Sequence, residues 1–218
     1  MQYWQVPVTA FAQNCTLLRC EATGQGVVID PGGDLDVVQL ALGDHRIDTC
    51  KVLLTHGHLD HAGAAGELAR QLAVPLEGPA IEDEFWLQAL PEQAATYGLP
   101  AAEVVHPDKW FCGGDSVSFG ELTLEVLHTP GHTPGHVVYF EPDSKIAVVG
   151  DVLFQGSIGR TDFPRGDFDT LIRSIMEGLM PLGDDVRVLS GHGGETTLGA
   201  ERRTNPFLLD PASFRGRV

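Results

Sequence analysis

Short apolar runs, each closed by a polar residue or a glycine-proline breaker, recur along this chain. Gly26-Val27-Val28-Ile29-Asp30 stops at Pro31-Gly32-Gly33, Lys51-Val52-Leu53-Leu54 stops at a histidine-rich loop, and 186–189 stops at Ser190-Gly191-His192. Runs of this length between such breakers predict buried strands. Residues 14–21 mix apolar and polar positions and predict a strand before them. Residues 117–119 and 122–127 predict a strand pair around the turn Gly120-Glu121. A second pair, 137–140 with 146–149, spans Glu141-Pro142-Asp143-Ser144. Helical spacing takes over elsewhere. Leu35, Val38, Gln39 and Leu42 follow Asp34, a good N-cap residue, and helices are also expected over 61–73, over 82–97 with an interruption at Pro91, and over 196–203. Another is expected over 168–180, capped by Asp167 and stopped by Pro181.

The order is strands, then β-α alternation, then strands again, then α-β-α. Two such halves suit two sheets packed face to face with helices outside, a four-layer αββα sandwich of the mixed α/β (α+β) class. Repeats, low-complexity tracts and linkers are not found, so a single domain over residues 1–218 is expected.

Charge narrows the partners. Thirty acids against 14 bases give a net charge of −16. Such a surface repels nucleic acid and anionic lipid, so neither is expected as a partner, and an anionic substrate needs a locally positive site. The N-terminal residues lack a basic and then apolar leader pattern, and no run approaches the roughly 20 apolar residues of a membrane span, so a cytoplasmic location is expected. Cys15, Cys20, Cys50 and Cys112 lack CxxC spacing and are read as free thiols in strands and loops.

The densest chemistry lies in Thr55-His56-Gly57-His58-Leu59-Asp60-His61, where four metal-ligating side chains fall within six residues. Imidazole and carboxylate suit zinc, iron or manganese. Three more ligand types follow predicted strands among glycine and proline: His132 in Thr129-Pro130-Gly131-His132-Thr133-Pro134-Gly135-His136, Asp151 in Val149-Gly150-Asp151, and His192 in Ser190-Gly191-His192-Gly193. Seven are too many for one tetrahedral zinc and suit two metals sharing a bridging carboxylate. Loops at one edge of a rigid sandwich can bring them together. His61 starts a predicted helix, whose positive end is expected to keep the ring neutral for a metal. Asp30 reads equally as a hydrogen-bond partner for a ligand histidine or as an ordinary turn carboxylate. His45, His106 and His128 have no partner spacing and read as surface or core histidines. Gly113-Gly114 and Gly193-Gly194 lack the context of a phosphate loop.

HGHLDH, TPGHTPGH, GD and GH in this order resemble the metallo-β-lactamase superfamily, and its glyoxalase II-like (hydroxyacylglutathione hydrolase) branch in particular. That resemblance implies one metal held by His56, His58 and His132, a second held by Asp60, His61 and His192, and Asp151 bridging them. It leaves His136 outside the ligand set, in a supporting role. It implies two divalent ions, zinc first with iron or manganese also suited, and attack of a metal-bridging hydroxide on a thioester, with Asp60 orienting the nucleophile and Asp60 and Asp151 as catalytic residues. The implied substrate is S-lactoylglutathione or a related anionic thioester. A glyoxalase II lysine that contacts the glycine carboxylate of glutathione falls near Arg160, so Arg160 and Arg165, in the loop after Asp151, are substrate-binding candidates.

Two departures stand out. The chain stops soon after His192, where glyoxalase II carries a helical C-terminal substrate domain, and it reads Gly191-His192-Gly193-Gly194 where that enzyme has a tyrosine two residues after the histidine. The stretches Gly78-Pro79 with Asp83-Glu84-Phe85-Trp86, Gly159-Arg160-Thr161-Asp162-Phe163-Pro164-Arg165-Gly166, and Thr197-Leu198-Gly199 to Asn205-Pro206-Phe207 are similar to the short, single-domain YcbL-like proteins of bacteria. The alternative is a persulfide dioxygenase of the same fold, with one iron on His56, His132 and Asp151. Against it stands Ser190-Gly191-His192, where dioxygenases tend to read Pro-Ala-His.

Overall fold

The computed structural model describes residues 1–216. One sheet contains β1 (Gln2–Val8), β2 (Gln13–Arg19), β3 (Gln25–Ile29), β4 (Asp48–Leu53) and β5 (Leu76–Glu77) in that order. Its first three strands are antiparallel, and β3, β4 and β5 are parallel. In the second sheet β6 (Ser116–Phe119), β7 (Leu122–His128), β8 (Val137–Glu141) and β9 (Ile146–Gly150) form an antiparallel meander. After a small hairpin of β10 (Leu153–Phe154) and β11 (Ser157–Ile158), β12 (Arg187–Ser190) returns parallel to β9, and β13 (Thr196–Thr197) edges it.

Residue alternation creates the layers. Side chains of successive strand residues point to opposite faces, so a strand buried on both sides divides its apolar residues between two cores. Leu18, Val27, Ile29 and Leu53 enter a central core with Val126, Tyr139, Val148 and Leu189 of the other sheet. Their neighbours Leu17, Val28, Val52 and Leu54 join an outer core with Val38 and Leu42 of α1 (Leu35–Asp44) and with Ala62 and Leu68 of α2 (Leu59–Ala62) and α3 (Ala65–Leu72). On the far side Val138, Phe140, Ala147, Val149 and Val188 face a third cluster. It includes residues of α6 (Phe168–Arg173), α7 (Leu198–Thr204) and α8 (Pro206–Leu209), while α4 (Glu84–Gln88) and α5 (Leu90–Tyr97) cover the first sheet's end. The result is the αββα sandwich that the strand pattern implies. All four cysteines are free thiols. Among the described residues no helix is long and apolar enough to cross a membrane.

Helix boundaries depart from expectation where tertiary contacts compete. The helix over 61–73 is two, because the Ala64 N–H turns to the Pro31 carbonyl at 3.2 Å. Residues 82–97 divide at Ala89, and Pro91 sits in the first turn of α5, where its missing N–H costs nothing. Asp34 precedes α1 with φ +47°, which turns its carboxylate away from the helix and onto the Thr9 N–H at 2.7 Å. Asp167 does cap α6, accepting from the Thr170 N–H at 2.7 Å. Beyond α6 the chain widens into a π-helix over Ser174–Leu179 and ends in a 3-10 turn that contains Pro181. The helix expected over 196–203 begins at Leu198, because Thr196 and Thr197 pair with β12.

Candidate metal centre

Strand ends deliver the site. β4 runs into the loop of His56, His58 and Asp60, β7 and β8 flank the loop of His132, and β9 and β12 run into Asp151 and His192. Since β9 and β12 are parallel, with Ser190 opposite Gly150, Asp151 and His192 leave the sheet at the same edge. Two glycines permit the crowding there. A Cβ at Gly191 would lie 2.3 Å from Asp151 Oδ1, and one at Gly150, where φ is +49°, would lie 2.7 Å from His136 Nε2.

All seven ligand-type side chains meet. His58 Nδ1 lies 3.0 Å from His56 Nε2 and 3.0 Å from His132 Nε2. His192 Nε2 lies 3.1 Å from Asp60 Oδ2, which is 3.8 Å from His61 Nε2. The Asp151 carboxylate faces both groups: Oδ1 is 3.3 Å from His61 Nε2, and Oδ2 is 3.7 Å from His132 Nε2 and 3.6 Å from His192 Nε2.

Outer hydrogen bonds set which ring nitrogens face inward. The Thr55 hydroxyl donates to Asp30 Oδ2 at 2.6 Å, so its oxygen accepts from His56 Nδ1 at 3.0 Å. A carbonyl only accepts, so His132 Nδ1 donates to the Arg160 oxygen at 2.7 Å. His61 Nδ1 donates to Asp30 Oδ2 at 2.9 Å. In the neutral rings each Nε2 then carries a lone pair toward the centre. Asp30 also accepts from the Thr55 N–H at 2.7 Å, so it is a supporting carboxylate rather than a plain turn residue.

This donor set fits divalent cations. Among the described residues, buried His61 Nε2 and Asp151 Oδ1 face only each other, at 3.3 Å, and form no well-aligned hydrogen bond, a costly state for polar atoms unless another ligand engages them. Tetrahedral metal–nitrogen bonds of about 2.0–2.1 Å place nitrogens roughly 3.3 Å apart, close to the spacing of His56, His58 and His132.

At His61 the carboxylate neighbours, rather than a helix end, set the electrostatics, since α2 has only four residues. Burial lowers the pKa of His61, yet the carboxylates of Asp151, Asp60 and Asp30 outweigh it and hold the ring well above the ordinary histidine value. A cation bound at this ring would therefore have to displace a proton. Burial likewise opposes charge on Asp151, but His61, His132 and His192 hold its carboxyl well below the usual range. His56 and His58 are pushed well below theirs by burial and by neighbouring imidazoles.

His136 stands outside the donor groups: its Nε2 accepts from the Asp151 N–H at 3.1 Å, and its ring stacks on His56 at 4.8 Å. His45 stacks on Trp4, His128 donates to the Pro134 carbonyl, and His106 is exposed. Two supporting residues carry no ligand-type signal in the sequence. Asn14 Nδ2 donates to the Ser190 and Gly193 carbonyls on either side of His192, and buried Asp83 holds the loops of the histidine trio. Neither has ligand spacing; their partners lie on loops distant in sequence.

The centre opens into a cavity of about 460 Å³ whose lining includes Trp86, Tyr97, Phe154, Arg160 and Phe163. Arg160 stacks over Phe163 at 4.0 Å and pairs with Asp162 through two 2.6 Å bonds. Arg165 does not line this cavity; its guanidinium lies 4.1 Å over Phe85.

The family model of the metallo-beta-lactamase superfamily matches residues 8–192. Hydroxyacylglutathione hydrolase GloC of Haemophilus influenzae is 47% identical over 204 residues, 93% of this chain and 96% of that protein. Among solved structures, the BLEG-1 B3 metallo-beta-lactamase superimposes with a TM-score of 0.88 at 35% identity, covering 95% of this chain and 99% of that one. TTHA1623 in a di-iron-bound form gives 0.85 at 34% identity, covering 94% and 100%.

Proposed function

This chain belongs to the metallo-β-lactamase superfamily and is a metal-dependent hydrolase, and from that premise we propose that it cleaves a thioester, S-lactoylglutathione or a close relative. The observation that carries the reading is the Asp151 carboxylate facing two separate donor groups with one oxygen otherwise unpartnered. Such an arrangement suits two cations rather than one. The name of the Haemophilus influenzae relative, matched over nearly its whole length, supports the thioester.

His56, His58 and His132 would hold one cation, Asp60, His61 and His192 the other, and Asp151 would join them. Zinc is the first expectation, with iron or manganese suited to the same donors. Such a pair supplies Lewis-acid polarisation and lowers the pKa of water from about 15.7 toward 7. The chain's own residues do the rest. Asp60 lines the cavity and offers an acceptor that can orient the attacking water. Trp86, Phe154 and Phe163 line the cavity and would shield the reacting carbonyl from bulk water, which would strengthen the charge interactions there. Asp30 and the Arg160 carbonyl keep His61 and His132 oriented throughout.

The test offers S-lactoylglutathione and glutathione persulfide in parallel while recording thiol release and oxygen uptake. Thiol release from the thioester without oxygen uptake is expected, together with close to two metal equivalents per chain. Oxygen consumption on the persulfide with a single iron would overturn the hydrolase reading in favour of the dioxygenase.

Arg160 supplies a second prediction. Its pair with Asp162 is exposed, 54% on each side, and such pairs contribute at most about 1 kcal/mol. A substrate carboxylate can compete for the guanidinium, since hydrogen bonds to charged groups contribute about 1.5–3 kcal/mol. Arg160→Ala should raise KM for an anionic thioester by about 5- to 30-fold while kcat changes by less than about twofold. Steady-state kinetics with no change in either constant would return Arg160 to the solvated surface.

A further inference from the structure

Asp83 ends the 3-10 turn Ile81–Asp83 that leads into α4, fully buried and far in sequence from every ligand-type residue. Its carboxylate accepts three hydrogen bonds. The Gly57 N–H reaches Oδ2 at 2.9 Å, the Thr133 hydroxyl reaches Oδ2 at 2.7 Å, and the Gly135 N–H reaches Oδ1 at 2.6 Å. Gly57 lies between His56 and His58, and Thr133 follows His132. One side chain thus ties together the two loops that carry all three members of the histidine trio. Burial pushes its carboxyl up to about 6, and its three partners, all donors, favour the ionised form that accepts from each of them.

The same segment grips the third ring directly. Trp86 meets His58 edge-to-face at 4.6 Å, and His58 Nε2 is buried with no hydrogen-bond partner among the described residues. His56 and His132 are oriented through Nδ1, whereas His58 relies on this packing. The other donor group is held without Asp83: Asp30 accepts from His61, the Gln93 side chain accepts from the Leu59 N–H beside Asp60, and Asn14 holds the loop of His192, while Asp30 reaches the trio only through Thr55 and His56.

We propose that Asp83 is a positioning residue for one cation site only, the trio His56, His58 and His132, while the site of Asp60, His61 and His192 stands without it. The proposal rests on the two-cation reading of the centre. An asparagine has one acceptor oxygen, and its amide N–H would face a backbone N–H, so Asp83→Asn releases at least one loop. Thr133→Val removes a single bond at nearly constant volume and serves if Asp83→Asn does not fold.

The experiment titrates metal-stripped protein with Zn²⁺ against a chromophoric chelator, with far-UV circular dichroism reporting the fold. Loss of a partner that orients metal ligands weakens binding by about 10–100-fold. Asp83→Asn should show that loss at one site and less than about threefold change at the other, and Thr133→Val a smaller loss at the same site. Two backgrounds identify it. With His192→Ala, which spares the trio, Asp83→Asn should weaken the remaining site; with His132→Ala, which spares the other group, it should not. Equal weakening of both sites, or of neither, overturns the proposal and leaves the two-cation reading standing. Wild-type protein that takes up no zinc overturns both.

Discussion

Asp151→Ala should abolish thioester hydrolysis, lowering kcat/KM by at least about 10³-fold, well beyond the roughly 10–100-fold that follows loss of an outer partner. The size follows from position. Asp151 is the carboxylate that approaches His61, His132 and His192 together, at 3.3, 3.7 and 3.6 Å. Without it the two donor groups share no anion, and two cations held there would repel one another with less charge between them. The backbone around it should persist, because the Asp151 N–H bond to His136 Nε2 and the strand pairing of β9 with β12 do not use the side chain. Loss of turnover is therefore expected in a protein that still melts cooperatively and holds fewer than two metal equivalents. Kinetics and metal analysis on one preparation check this. Near-wild-type turnover with both equivalents retained would remove Asp151 from the centre.

Much of this site is legible in the chain itself, for a physical reason. Residues such as His56, Asp151 and His192 follow short buried runs, and parallel strands release their loops at a common edge. The strands are legible because alternate residues such as Val27 and Val28 feed different cores, which leaves no polar position in the run. Helix ends are less legible, since they answer to distant groups. The Pro31 carbonyl breaks the helix after His61, and a left-handed backbone at Asp34 takes away its cap. Least legible are Asp83 and Asn14. Both work by accepting from or donating to backbone groups of remote loops, and an acid or amide spent that way leaves no spacing to read.

Stripping the cations with a chelator should lower the melting temperature by about 10 °C at neutral pH, and the gap should widen as pH rises. A ligand present at about 1,000 times its dissociation constant stabilises by about 4.1 kcal/mol. For a chain of this size each kcal/mol shifts the melt by roughly 2–4 °C. The pH slope comes from His61. Its folded pKa lies well above the ordinary histidine value. In stripped protein it therefore contributes stability that is fully present below about pH 6.5 and is lost as pH climbs through the raised value. If the same ring holds a cation in loaded protein, it has no proton to lose there. His192, raised through its hydrogen bond to Asp60 against the cost of burial, adds in the same direction. Groups remote from the centre contribute equally to both melts and cancel in the difference. Melts at pH 6, 7.5 and 9 with and without chelator measure that difference directly. A gap that stops growing at about pH 6.5 would mean that no proton with a raised pKa competes with the cation, and His61 would then leave the donor set.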